Sequence, residues 1–154
     1  DDQNIHNVLT ASCSIPLAYR DYPRVEDEPM SDGGIADSIP VAEAYRRGAR
    51  DITVVLSRPL GYEKKPLAFP ALTKRMFREQ PGLAEAIIRR GERYNETLEF
   101  IRNPPEDCRL RIIAPPEDFP VSRLTTDLNK LDLGYQQGHR AAMAYLAELA
   151  QEVT

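Results

Sequence analysis

The sequence predicts an α/β chain with a parallel component, and three observations carry this. Residues 52–56 and 110–114 are short, uninterrupted apolar runs rich in β-branched side chains, the pattern of buried strands. Helical periodicities fill the chain between and after them. A turn, a short helix and a buried strand also follow one another from Asp32 to Leu56, which is half of a layered α/β unit. Two such strands are few for a self-sufficient doubly wound sheet. The chain is therefore expected to be part of a larger domain.

The elements follow in order. Ile5, Val8, Leu9 and Ala11 recur at helical spacing, and Pro16 biases Ile15 toward an extended conformation, so a first helix should stop near there. Residues 17–31 read as strand pieces with a turn around Glu26-Asp27-Glu28. Asp32-Gly33-Gly34 is the strongest turn signal in the chain. It predicts a sharp bend with positive φ at the glycines and a carboxylate that no neighbouring side chain shields. Pro40 suits a first helical turn, Glu43 the positive end of the helix dipole, and Gly48 the left-handed position after a helix. After the strand at 52–56, residues 58–70 form a Pro-containing loop. Leu72, Met76 and Phe77 make one face of the next helix, with Lys74, Arg75 and Arg78 opposite. A longer helix over about 83–102 aligns Leu83, Ile87, Tyr94, Leu98 and Ile101 until Pro104-Pro105 stops it. The strand at 110–114 ends at Pro115-Pro116. A last helix over about 135–152 carries Tyr135, Gly138, Ala142, Tyr145, Leu149 and Val153 on one stripe. No internal repeat is visible.

Composition excludes several classes. Hydrophobic residues make up 42% of the 154, enough for a core. Lys and Arg number 20 against 24 Asp and Glu, so the basic excess of a nucleic-acid binder is missing. The longest apolar run, 141–147, is far short of the roughly 18 residues that span a bilayer. Cys13 and Cys108 form no spaced pair and read as two buried thiols in a reducing, cytoplasmic compartment. His6 and His139 lack companions at ligand spacing, so no metal site is expected. The polar start, Asp1-Asp2-Gln3-Asn4, is no signal peptide. The absence of an initiator Met predicts that the chain begins inside a longer protein.

Four pieces occur in a particular order: Ala11-Ser12-Cys13-Ser14-Ile15-Pro16, Ser31-Asp32-Gly33-Gly34-Ile35-Ala36-Asp37-Ser38-Ile39-Pro40-Val41, Ala44-Tyr45-Arg46-Arg47-Gly48-Ala49, and the strand at 52–56. This ordered set resembles the C-terminal half of patatin-like phospholipases. The tail, with Leu124-Thr125-Thr126-Asp127, Gly134-Tyr135 and Gly138, loosely resembles the end of bacterial members. The resemblance implies the C-terminal part of a three-layer α/β/α fold. Residues 1–58 would be its catalytic-Asp segment and 59–154 a helical extension with one further strand. It also implies lipid acyl-ester hydrolysis by a Ser–Asp dyad, without metal or organic cofactor, in the cytoplasm or at a membrane surface. Asp32 would be the proton acceptor, supported by Gly33 and Gly34. A free aspartate, with a pKa of about 3.9, is a weak base, and it becomes useful by position and desolvation.

The chain departs from that pattern in one respect. No Gly-x-Ser-x-Gly occurs, and Ser12, Ser14, Ser31, Ser38, Ser57 and Ser122 all lack elbow glycines. A Gly-rich segment for oxyanion donors is also missing. A Ser-His-Asp triad through His139 fails for want of the same serine. The nucleophile is therefore expected in an N-terminal half of the same protein, and this chain alone is expected to be inactive. The alternative is a non-catalytic interaction or membrane-peripheral α/β module. A hydrolase should show Asp32 facing an open cleft. A module should show it tied up in local hydrogen bonds. Exposed apolar surface could pair two copies into a homodimer.

The remaining features read more plainly. Asp37 belongs with Ser38 to a helix entry rather than to a pocket. Arg46-Arg47-Arg50 and Arg89-Arg90-Arg93 read as solvated helix faces rather than anion sites. Residues 60–78, with Tyr62, Leu67 and Phe69 ahead of a basic amphipathic helix, could meet a lipid interface. A helix packed on the sheet is the preferred reading there.

Overall fold

A computed structural model describes residues 2–16, 19 and 22–152. Its elements are α1 (Asp2–Ser12), β1 (Arg24–Val25), β2 (Glu28–Pro29), a 3-10 turn (Gly33–Ile35), α2 (Val41–Arg46), β3 (Asp51–Val55), α3 (Pro70–Met76), α4 (Pro81–Arg102), β4 (Arg109–Ile113) and α5 (Leu128–Glu152). The chain is α/β, rich in helix with small sheets. It forms two compact units, Asp1–Pro40 with Glu63–Glu99 and Val41–Tyr62 with Phe100–Thr154. Each unit draws on two separate stretches of chain.

In the first unit α1 ends where Pro16 requires, but its apolar stripe is not a core face. Ala11 is buried, whereas Ile5, Val8 and Leu9 are exposed. The expected strand pieces and turn are present within residues 22–31; residues 17, 18, 20 and 21 lie outside the described set. Glu26 and Asp27 both take left-handed φ, 51° and 64°, which matches the twist of an antiparallel hairpin. The loop after residue 62 is clamped to α4. Asn95 accepts from the Lys64 N–H and donates back to its carbonyl, each at 2.9 Å. Gly91 permits this approach, because a Cβ there would lie 3.0 Å from the Lys65 carbonyl oxygen. Ala84, Tyr94 and Leu98 of α4 are buried. α3 does not pack as expected: Leu72 and Met76 are half exposed, Phe69 is 72% exposed, and only Phe77 is buried. A seven-residue helix buries little unless a neighbour covers it.

In the second unit β3 and β4 pair in parallel, from Asp51↔Arg109 through Val55↔Ile113. Gly48, at φ 100°, ends α2 as expected. Tyr45 then donates to Asp107 at 2.7 Å, and Arg50 Nε donates to the same carboxylate at 2.8 Å. These bonds hold the Asp107 carboxyl below the usual range, Tyr45 first and Arg50 second. α5 is fixed on β3 by a 2.7 Å bond between Thr53 and Tyr145, and on β4 by Glu152 with Arg109 and Arg111. The buried-strand reading of residues 52–56 holds on one face only. Val54 and Leu56 are buried, but Val55 is 73% exposed, because a two-stranded sheet leaves its second face partly uncovered. α5 starts before the expected residue 135. Asp127 caps it by accepting from the N–H groups of Asn129 and Lys130 at 2.9 and 3.3 Å. No described helix is long and apolar enough to cross a membrane.

Glu43 gives a pH prediction. Hydrogen bonds from Arg46, then from Arg47, lower its pKa from 4.5 to about 2. A carboxyl depressed in the folded state adds stability that is complete above its unfolded pKa and is lost as pH falls through the folded one. This contribution should therefore vanish between pH 4.5 and about 2. Carbon NMR titration of the Glu43 carboxyl should show the low midpoint, and Arg46→Gln should raise it.

Candidate functional site

Asp32 sits between the end of α1 and the turn that leads to α2. The carbonyl of buried Ser14 accepts the Asp32 N–H at 3.1 Å and the Ser31 hydroxyl at 2.9 Å. Ser14 is itself held by a 2.7 Å bond to the Thr10 carbonyl. Asp32 then caps the 3-10 turn: its Oδ1 accepts from Gly34 N–H at 2.8 Å. Its other carboxylate oxygen has no partner among the described residues. The side chain is half-buried.

The glycines act differently from the expectation. Gly48 is the only described glycine with positive φ, so neither Gly33 nor Gly34 is a left-handed bend. A 3-10 turn uses ordinary right-handed angles, and Asp32 enters it with φ −48° and ψ 115°. Gly34 matters for close approach: a Cβ there would stand 3.1 Å from Asp32 Oδ1. Nothing lies within 4 Å of a Cβ built on Gly33.

The turn is held from its other side by α4. The Gly34 carbonyl accepts from Ser38 Oγ at 2.7 Å and from Arg90 Nε at 2.8 Å. Arg93 donates to the Ala36 carbonyl at 3.3 Å. Arg90 and Arg93 are thus not solvated as expected, although Arg89 pairs with Glu92 on the surface. The signal was available: Arg90 falls on the α4 stripe between Ile87 and Tyr94. Lys64 adds a further cation, 4.0 Å over the Tyr94 ring and 3.3 Å from Ser38 Oγ.

The other candidates resolve simply. Asp37 accepts from Ile39 N–H at 3.1 Å, as a helix-entry residue does. Arg46 and Arg47 pair with Glu43, and Arg50 pairs with Asp107. Ser12, Ser14, Ser31 and Ser38 all donate to backbone carbonyls, so none is aligned with Asp32 as a nucleophile. Cys108 is buried, but Cys13 is exposed, against the expectation of two buried thiols. Among the described residues no three His, Cys, Asp or Glu side chains gather as metal ligands.

Residues 80–153 match the family model of DUF6363, a domain of unknown function. This corrects the resemblance to patatin-like phospholipases, since the family model that matches is not one of theirs. No solved structure matches the chain. Across 154 residues the chain is 30% identical to the uncharacterized protein YjjU of Escherichia coli (strain K12), an alignment that takes in 99% of this chain and 43% of that protein. The chain therefore spans less than half the length of the curated relative to which it is similar.

Proposed function

We propose that this chain supplies the general-base carboxylate of a serine-type lipid acyl hydrolase whose nucleophile lies outside residues 1–154. One observation carries the reading. The Asp32 carboxylate is fixed through one oxygen by Gly34 N–H, and its other oxygen has no partner among the described residues. A general base needs both a fixed position and a free lone pair. In the reaction the serine hydroxyl gives its proton to that oxygen as it attacks the ester carbonyl. The leaving alcohol takes the proton as the acyl-enzyme forms. Water then attacks the acyl-enzyme while Asp32 accepts its proton, and the fatty acid leaves with the serine restored. Arg90 and Arg93 hold the turn by its carbonyls and are positioning residues.

The parallel pair β3–β4 belongs, in this proposal, to a three-layer α/β/α sandwich completed by the rest of a longer protein. That protein works in the cytoplasm at a membrane surface. Phe69, Leu72 and Met76 are exposed beside Lys74 and Arg75, the composition of an interfacial helix. A non-catalytic module is the second reading, favoured by the Asp32–Gly34 bond itself, which any capped turn could use.

Turnover of a medium-chain ester separates the two. The 154-residue chain should show none, and a longer protein of the E. coli relative's length should show it. Inactivity of both favours the module. Turnover by the short chain, abolished by Asp32→Asn, contradicts the placement of the nucleophile.

A further inference from the structure

We propose that the second unit carries a binding cavity for a long-chain fatty acid, a site that does not depend on Asp32. Beyond the carboxyl ends of β3 and β4 lies a cavity of about 550 Å³. Small-molecule sites span roughly 300–1,000 Å³, and the carboxyl ends of parallel strands are where α/β sheets take their ligands. The walls are mostly apolar: Val55 and Ile113 from the strands, Phe119 and Val121 from the loop before α5, Ala141 and Ala142 from α5. Val55, 73% exposed, is an apolar side chain that the unit leaves uncovered.

Two glycines of α5 line this cavity for different reasons. Gly134 is required by packing, because a Cβ there would lie 2.6 Å from Val121 Cγ2. At Gly138 a Cβ would meet nothing within 4 Å, so no neighbour demands glycine. Glycine in a helix interior lowers helix stability relative to alanine. What Gly138 provides is room.

The polar lining selects the headgroup. Arg58 and Arg123 both line the cavity, and neither forms an ion pair among the described residues. Arg58 only faces the Tyr62 ring, at 5.3 Å. Two guanidiniums without carboxylates, in a chain of net charge −4, mark a place for an anion from outside. A guanidinium takes a carboxylate through two parallel hydrogen bonds. Gln137 Oε1, buried without a hydrogen-bond partner, belongs to a carboxamide that can turn over and offer an N–H to the same group. Apolar walls with cationic polar groups fit a single-chain carboxylate better than a neutral lipid.

The test titrates the 154-residue chain with cis-parinaric acid, a fluorescent polyene fatty acid, and displaces it with palmitate or hexadecanol. Saturable binding is expected, with palmitate displacing at about tenfold lower concentration than hexadecanol. Gly138→Leu fills the cavity and should weaken both by at least about tenfold. Arg58→Gln combined with Arg123→Gln leaves the walls intact and should abolish only the preference for palmitate. That pair decides the matter if Gly138→Leu does not fold. Absence of saturable binding, equal displacement by acid and alcohol, or unchanged binding by a folded Gly138→Leu overturns the proposal. So does binding to anionic vesicles that palmitate does not compete.

Discussion

Asp32→Asn in the longer protein is expected to lower acyl-ester hydrolysis by about 10²–10⁴-fold, the range over which a positioned general base contributes. The loss should fall on kcat, because in the proposed mechanism the substituted group meets the serine proton rather than the lipid chain. Asparagine is a close steric match and caps a helical turn about as well as aspartate. Its side-chain oxygen can still accept from Gly34 N–H, the 2.8 Å bond that Asp32 makes. The turn and its anchors, the Ser14 carbonyl and Arg90, should therefore survive. Thermal unfolding should be unchanged within about 0.5 kcal/mol. A purely structural aspartate behaves in another way: its replacement by Asn would leave activity near normal. Asp32→Ala provides the contrast, losing both the cap and the base.

Leu98→Ala is expected to cost about 2–5 kcal/mol of stability, the range for deleting a fully buried leucine side chain. Leu98 is 0% exposed on α4, and no water reaches the space its truncation would leave. The loss combines transfer free energy with an unfilled cavity. Leu72→Ala, on the half-exposed face of α3, should stay within about 0.5 kcal/mol. Urea unfolding of the two variants, with equal m-values, measures the difference. Equal losses would mean that α4 is not the buried helix described.

Local chemistry made much of the fold legible. The strand expected at 52–56 is β3, one residue offset, and the second strand is β4. Gly48 ends α2 in the left-handed region, and Pro81 and Pro104 bracket α4. Periodicity says which residues share a face but not whether that face is covered. Ile5 and Leu9 on α1, Leu72 and Met76 on α3, and Val55 on β3 obey the expected spacing and are nevertheless exposed. The start of α5 was hidden because the Asp127 cap precedes a first turn whose Leu128 and Leu131 are exposed. At the candidate site the sequence pointed to Asp32, Gly33 and Gly34 but not to their geometry. Diglycine suggests left-handed backbone, whereas the side-chain cap stabilises a 3-10 turn with ordinary angles. The α4 stripe marks Arg90 as facing inward, but it does not name the partners of Arg90 and Arg93, because the Gly34 and Ala36 carbonyls are more than fifty residues away. The cavity beside α5 left only a trace, a glycine at 138 where helix propensity asks for alanine.

The central claim is that Asp32 receives its proton from a serine supplied by another part of the protein. Mapping a fluorophosphonate adduct by mass spectrometry on the longer protein tests it most directly. One modified serine outside residues 1–154, labelled quickly in the wild type and slowly in Asp32→Asn, is the predicted result. An adduct on Ser14 or Ser31, or labelling at the same rate in both proteins, would contradict it.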